Sequence, residues 1–349
     1  MIKFYDMNAV NSPSLDRMQS KAIDVIKSGN YVFGTDKFEE EFAEWNGSKY
    51  CVALSNGTSA LHVALLSLGI GPGDEVITVS HTFRATVSAI RYCGATPVFV
   101  DIDPETYTMD ASQLQNVIST KTKAILPVHI YGNMCLIDGI CKIAAQHNIP
   151  VIEDCSQAHG TTLYNKKSGT FGKIGTFSFY PGKGIGALGD AGCIVTDDEE
   201  IYKFAKQVRS WDEFTIGYNY RMSNLQAEFL RIKLTDFDEI LKEKRNIAKY
   251  YDDNLINSTC TVRNSVEHSY HVYPYLVTDR QTFVKNTKDQ IETKVHYDKP
   301  VHKFFSHLQG VSLPVTEKVA NQEVSLPMYP GVDYKKVVEI INDNISTIL

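Results

Sequence analysis

From residue 50 onward the chain repeats one pattern: a short apolar run, a polar turn, then an amphipathic stretch of roughly two or three helical turns. Residues 50–55, 75–79, 96–101, 124–130, 150–154, 176–180 and 193–196 read as strands. Between them, 60–68, 83–93, 110–118, 135–147 and 199–210 read as helices. The strands carry no polar face, so both faces of the sheet they form must be covered. Such βα alternation predicts a mostly parallel sheet with helices on both sides. Ligands of such sheets bind beyond the carboxyl ends of the strands. The residues just past those ends are therefore where chemistry is to be sought.

The flanks complete the layout. Residues 14–28 and 38–46 have helical spacing, the first closed by Gly29-Asn30. A long helical stretch, 221–251, leads into strands at 260–263, 270–278 and 294–297 and helices at 282–290, 316–324 and 335–349. We expect a large domain over 1–240 and a smaller α/β domain over 241–349, a division that suits 349 residues. The net charge of −6 and the lack of a basic stripe argue against a nucleic-acid partner. Seven scattered cysteines without a CxxC pair point to reduced thiols, not to disulfides or a metal site. No apolar run approaches membrane-spanning length and no signal segment opens the chain, so a cytoplasmic protein is expected.

Four features fall at or just past the strand ends. Ser55-Asn-Gly-Thr-Ser59 joins a strand to a helix, which offers unpaired amides and hydroxyls to a phosphate; it is equally ordinary helix-capping chemistry. Asp154 ends a strand, either to cap the next turn or to keep a heteroaromatic nitrogen protonated. Phe83 stands at a strand-to-helix junction, as core or as a platform for a flat ring. Lys183 lies among Gly182, Gly184, Gly186 and Gly189, between apolar runs. The glycines are expected to supply positive φ and close backbone approach. A lysine partly buried there has a depressed pKa and can attack carbonyls. Together, a phosphate cradle, a strand-end carboxylate, an aromatic platform and a loop lysine are the groups that hold pyridoxal 5'-phosphate.

The motifs extend the case. Ser55-Asn-Gly-Thr-Ser-Ala-Leu61, Thr82-Phe-Arg-Ala-Thr86, Glu153-Asp-Cys-Ser-Gln-Ala-His-Gly160, Ser178-Phe-Tyr-Pro-Gly-Lys183, Gly217-Tyr-Asn-Tyr-Arg-Met222 with Leu225-Gln-Ala227, Val295-His-Tyr297 and Ser325-Leu-Pro-Met-Tyr-Pro330 resemble the DegT/DnrJ/EryC1/StrS family. These are nucleotide-sugar aminotransferases of the type I aminotransferase fold. The resemblance implies that Lys183 is the Schiff-base lysine, that Asp154 holds the pyridinium proton and that Gln157 meets the ring hydroxyl. It places Phe83 against the ring, and Gly57, Thr58 and Ser178 at the phosphate. Asn219 would reach the cofactor phosphate of a second subunit, so a homodimer is implied, with Arg221 in the same motif as a salt-bridge partner. His296, Tyr297 and His302 are candidates for the sugar pocket, or polar residues satisfied within the protein. Gly184 stands where the family often has Asn. Lys183 is kept where sugar-dehydrating members have histidine.

The activity so implied is transfer of an amino group from L-glutamate to a nucleotide-diphosphate keto-sugar. The Lys183 loop is similar to enzymes of 3-keto-6-deoxyhexoses, whereas residues 219–224 resemble 4-keto enzymes. A dTDP-linked 3-keto substrate is preferred; a 4-keto substrate on dTDP, UDP or GDP, or a dehydrase, is the alternative.

Overall fold

The computed structural model describes residues 1–211, 217–256, 265–305 and 310–344. Its centre is a sheet of β1 (Tyr50–Leu54), β2 (Glu75–Val79), β3 (Thr96–Val100), β4 (Thr122–Ile125), β5 (Ile152–Asp154), β6 (Ile174–Ser178) and β7 (Gly192–Thr196). The ladders run β3-β2-β4 on one side and β5-β6-β7-β1 on the other. Parallel bridges Ile125–Val151 and Val128–Asp154 join the two halves across β4 and β5. All pairings are parallel except those of β7, which runs against both β6 and β1. A mostly parallel sheet was expected, and this is one.

Among the described residues the longer helices are α1 (Leu15–Ser28), α2 (Asp36–Asn46), α3 (Gly57–Ser67), α4 (Arg84–Tyr92), α5 (Ile137–Gln146), α6 (Glu199–Val208), α7 (Asn224–Asn254), α8 (Arg280–Thr287), α9 (Pro314–Gln322) and α10 (Tyr334–Asn342). α1 and α2 end at Gly29 and Gly47, both in the left-handed region where a side chain is strained. One face of the sheet packs Val52, Leu54, Ile77, Val79 and Ile152 against α3 to α6. The other sets Phe177, Phe179 and Cys193 against Phe38 and Phe42 of α2 and Phe237 and Leu241 of α7. Each of these fully buried apolar side chains contributes roughly 1.5–3 kcal/mol relative to exposure. The sheet's carboxyl edge is thus a rigid base for the loops it carries.

The expected domain boundary near residue 240 falls inside α7. Beyond it, Ile247 and Tyr251 enter a second core with Tyr273, Tyr275, Phe283, Val324 and Ile341, against which Ile2, Tyr5 and Val10 also pack. Its sheet pairs β8 (Tyr273–Leu276) with β9 (Glu323–Leu326), antiparallel. Two expectations are corrected here. Residues 323–326 form a strand, where a helix was expected to run to 324, because Val324 and Leu326 fill this core. Residues 294–297 form no strand; only Lys294 bridges to Ser325. The strand expected at 260–263 lies outside the described residues.

Among the described residues, no helix is long and apolar enough to cross a membrane.

Candidate active site

The carboxyl ends of β1, β5 and β6 meet at one rim. Leu54 and Ser178, the last residues of β1 and β6, both pair with Gly192, the first of β7. A Cβ on Gly57 would stand 2.6 Å from Ser178 Cβ, and one on Gly192 would stand 2.4 Å from the Asn56 carbonyl carbon. Only glycine permits this approach. The Asn56 side chain accepts the Ser59 N–H at 2.8 Å, and Ser59 Oγ accepts the Asn56 N–H at 3.1 Å, so a capping box opens α3. The amides of Gly57 and Thr58, first in the helix, have no intrahelical acceptor. Two such amides with the hydroxyls of Thr58 and Ser178 make an anion cradle at a helix N-terminus.

Lys183 lies in the loop between β6 and β7. Its N–H donates to the Tyr180 carbonyl at 2.8 Å, and Ala187 donates to Phe179 at 2.8 Å, which folds the loop as a hairpin extension. Here the expectation of positive φ is corrected: none of Gly182, Gly184, Gly186 and Gly189 is left-handed. Close packing explains two of them. A Cβ on Gly186 would stand 2.2 Å from the Pro181 carbonyl oxygen, and one on Gly184 would press on the Phe237 ring at 3.2 Å. Gly184 thus has a packing reason to be glycine.

Burial pushes the Lys183 amine down to about 8, against the pull of the Asp154 charge, which raises it. Asp154 itself is 3% exposed. One carboxylate oxygen accepts the Thr86 hydroxyl at 2.9 Å, the other the Ser156 N–H at 3.1 Å. Thr86 in turn meets the Thr82 hydroxyl at 2.8 Å. The carboxylate is therefore aimed by α4, a role that no reading of single residues assigned to Thr86. The only hint was a Thr pair at helical spacing within the motif 82–86.

Phe83 is 52% exposed, so it is not a core residue. Its ring lies 5.9 Å from that of Tyr297. Tyr297 accepts a hydrogen bond from Gln157 Nε2 at 3.0 Å, while Gln157 Oε1 accepts the Tyr131 N–H at 2.7 Å. Burial raises the Tyr297 phenol, keeping it protonated. His296 is tied to the protein, with Nδ1 at 2.8 Å from Ser325 Oγ and its ring over Phe4. Burial lowers its imidazole to about 4. His302 is wholly buried, between Ser80 Oγ at 2.7 Å and Glu317 at 3.3 Å, so its ring presents no face to a ligand. Asn219 is exposed; its Oδ1 accepts from Arg221 at 2.9 Å, and Arg221 lies 5.1 Å over the Trp211 ring. The adjoining Tyr220 carbonyl accepts the Ser55 N–H at 2.7 Å, which ties this segment to the end of β1.

His129, Glu153 and Cys155 also bring ligand-type atoms within 4.8 Å of one another. The Glu153 carboxylate there accepts the N–H groups of Gly169, Phe171 and Gly172 as well as meeting His129 at 2.9 Å. It is a brace for the loop before β6, with its acceptor sites taken.

The residues at the rim fit pyridoxal phosphate. The cradle that a Cβ would fill at Gly57 suits a phosphate, the oriented Asp154 suits a protonated ring nitrogen, and the exposed Phe83 suits a flat ring. Comparison with known proteins agrees. The model of the DegT/DnrJ/EryC1/StrS aminotransferase family matches residues 15–343. The chain is 38% identical to the dTDP-3-amino-3,6-dideoxy-alpha-D-galactopyranose transaminase of Aneurinibacillus thermoaerophilus, over 98% of this chain and 99% of that one. Among solved structures, DesV of S. venezuelae in complex with a ketimine intermediate superposes with a TM-score of 0.94 at 31% identity, covering 98% of each chain. The ntda protein of Bacillus subtilis with bound cofactor PMP gives a TM-score of 0.90 at 29% identity, covering 98% of this chain and 85% of that one.

Proposed function

Because the chain belongs to the DegT/DnrJ/EryC1/StrS aminotransferase family and is a pyridoxal phosphate-dependent nucleotide-sugar aminotransferase, we propose that it moves an amino group from L-glutamate to a dTDP-linked 3-keto-6-deoxyhexose. The observation that carries the amino-transfer chemistry is one desolvated amine, Lys183, under the field of one oriented carboxylate, Asp154, at the strand ends. When bound, the cofactor supplies an electron-withdrawing ring that stabilises negative charge at the substrate carbon bearing nitrogen.

The chain's own residues divide the remaining work. Lys183 Nζ, near neutral pH partly unprotonated, would carry the proton between the substrate's Cα and the C4' carbon of the bound cofactor. Asp154, fixed by Thr86 and Ser156, holds a proton on the ring nitrogen. Gly57, Thr58 and Ser178 bind the phosphate, and Phe83 covers one ring face. Gln157, oriented by Tyr131 and Tyr297, is the neighbour of the ring hydroxyl. Tyr297 borders the sugar, with His296 behind it. His302, enclosed by Ser80 and Glu317, braces the fold here and is not assigned a sugar contact. Asn219, exposed on its segment, serves the phosphate of a second subunit, so the enzyme acts as a homodimer.

The 3-keto assignment is supported by the Lys183 loop motif and by the named activity of the Aneurinibacillus relative. The test is incubation with L-glutamate and a panel of dTDP-, UDP- and GDP-linked 3-keto and 4-keto sugars, read by product mass and NMR. Amination at C3 of a dTDP sugar with release of 2-oxoglutarate is expected. Amination only at C4 would move the assignment to the other ketone. A deoxygenated product formed without glutamate would identify a dehydrase.

A further inference from the structure

Two cations stand beside the mouth of this site without an acid. Arg84, the first residue of α4 and the neighbour of Phe83, holds its guanidinium carbon 5.3 Å from the centre of the Phe304 ring. Lys299, two residues past Tyr297, holds Nζ 4.5 Å from the same centre. Neither side chain forms an ion pair or a hydrogen bond with another of the described residues. Nearby Lys303, by contrast, is neutralised by Glu317 at 2.9 Å. Both cations therefore leave the backbone from the residues that flank the site, since Phe83 and Tyr297 are themselves in contact. They converge on one half-exposed ring.

This arrangement carries a cost that a ligand would remove. The two charges lie within about 10 Å of each other, near one Debye length, so they repel. The ring face attracts each of them but leaves both uncompensated. Among the described residues no carboxylate lies within ion-pair distance of either cation, although the chain's net charge is −6. The N-terminus of α4 adds to the same field, for Phe83, at the cap position, supplies no side-chain hydrogen bond to the helix amides.

We propose that Arg84 and Lys299, held in place by Phe304, bind the diphosphate of the nucleotide-linked substrate. The proposal rests on the reading that the substrate is a nucleotide sugar. Guanidinium groups take phosphate oxygens in pairs, and ammonium groups act as point charges, so the two are complementary on a diphosphate. The ring fixes both long side chains before the ligand arrives, which lowers the entropy lost on binding. The diphosphate would then sit at the mouth, with the sugar directed inward past Phe83 and Tyr297.

The experiment uses the cofactor-loaded enzyme, wild type and Arg84→Ala/Lys299→Ala, titrated by calorimetry with dTDP, UDP, GDP, thymidine and inorganic pyrophosphate. In parallel, the conversion of the bound cofactor by L-glutamate alone is followed by absorbance. The tightest nucleoside diphosphate is expected to bind the double variant at least tenfold more weakly, with a smaller salt dependence, while the glutamate reaction stays within twofold. Thymidine binding should not change between the two proteins. Arg84→Lys should recover part of the loss. Equal affinity in wild type and double variant, no binding of any nucleoside diphosphate by wild type, or pyrophosphate binding more tightly than all of them would overturn the proposal. A wild type that glutamate does not convert would instead count against the transaminase reading, whatever the titrations give.

Discussion

Lys183 lies in the hairpin loop beyond β6, and Lys244 lies in the interior of α7. Burial pushes the first amine down to about 8 and the second to about 7. By titration alone the two are alike, and Lys244 is the more perturbed. Their surroundings differ. Lys183 shares a rim with Asp154, Phe83 and the Gly57–Thr58 cradle. Lys244 is 3% exposed, and among the described residues its Nζ hydrogen-bonds the His271 carbonyl alone, at 3.4 Å. A desolvated amine is therefore not in itself a reactive site. Reactivity needs an approach for the ligand and a carboxylate at a set place, and the strand ends provide both.

The comparison can be broken most decisively at Lys183. Lys183→Ala is expected to lower turnover by at least about 10⁴-fold and to remove the visible band of the lysine-bound cofactor. Lys244→Met should keep both; steady-state kinetics and an absorbance spectrum on each variant decide it. If the Lys183 variant retained turnover and the band, the assignment of the site would fail.

A second test uses pH. A lysine at about 8 is roughly one quarter unprotonated at pH 7.5, whereas an unperturbed one is about a thousandth. In the cofactor-free protein, the rate of pyridoxal phosphate capture should rise about tenfold per pH unit and level off above about 8. Asp154→Asn removes the charge that raises the amine, so the inflection should move below 8, and turnover should fall by about 10²-fold or more. Stopped-flow absorbance across pH 6 to 10 reads the inflection. A capture rate still climbing steeply at pH 10 would show that Lys183 is not the group that reacts.

The smallest effect concerns stability. The folded-state pKa of Lys244 is depressed, so the unfolded chain binds more protons between about pH 7 and 10.5, and stability rises with pH across that window. Lys244→Met should stabilise the fold at pH 7 by on the order of 1–2 kcal/mol and flatten part of that rise. Urea denaturation at pH 7 and pH 9.5 measures both. A destabilised variant would mean that the amine's contact with the His271 carbonyl outweighs its desolvation.

Much of this was legible because the local signals were strong. The run 75–79 is a strand as expected, with Val76, Ile77 and Val79 buried. Gly29 and Gly47 close their helices in the left-handed conformation. Other features had no local signal. The paired segments Thr162–Leu163, Lys166–Lys167 and Val266–Glu267 are two residues each, too short to show a period. Residues 323–326 follow a helix without a break, and only pairing with β8 makes them a strand. The direction of β7 did leave a trace. A parallel return needs a crossover of about a dozen residues or more, usually helical, and the glycine-rich stretch after Ser178 offers no helix.

The sequence by itself determined which residues to propose for the chemistry: a lysine among glycines, an aspartate closing an apolar run, and a Gly-Thr pair opening a helix are local patterns visible without knowledge of their neighbours. Tertiary structure decided how those residues act. Thr86 aims Asp154 across residues far apart in the chain, Gly57 meets Ser178 at a distance no other side chain allows, and burial by the surrounding segments lowers the Lys183 amine to about 8. Type and order along a chain are local properties. Aim, approach and desolvation exist only between segments that folding has brought together.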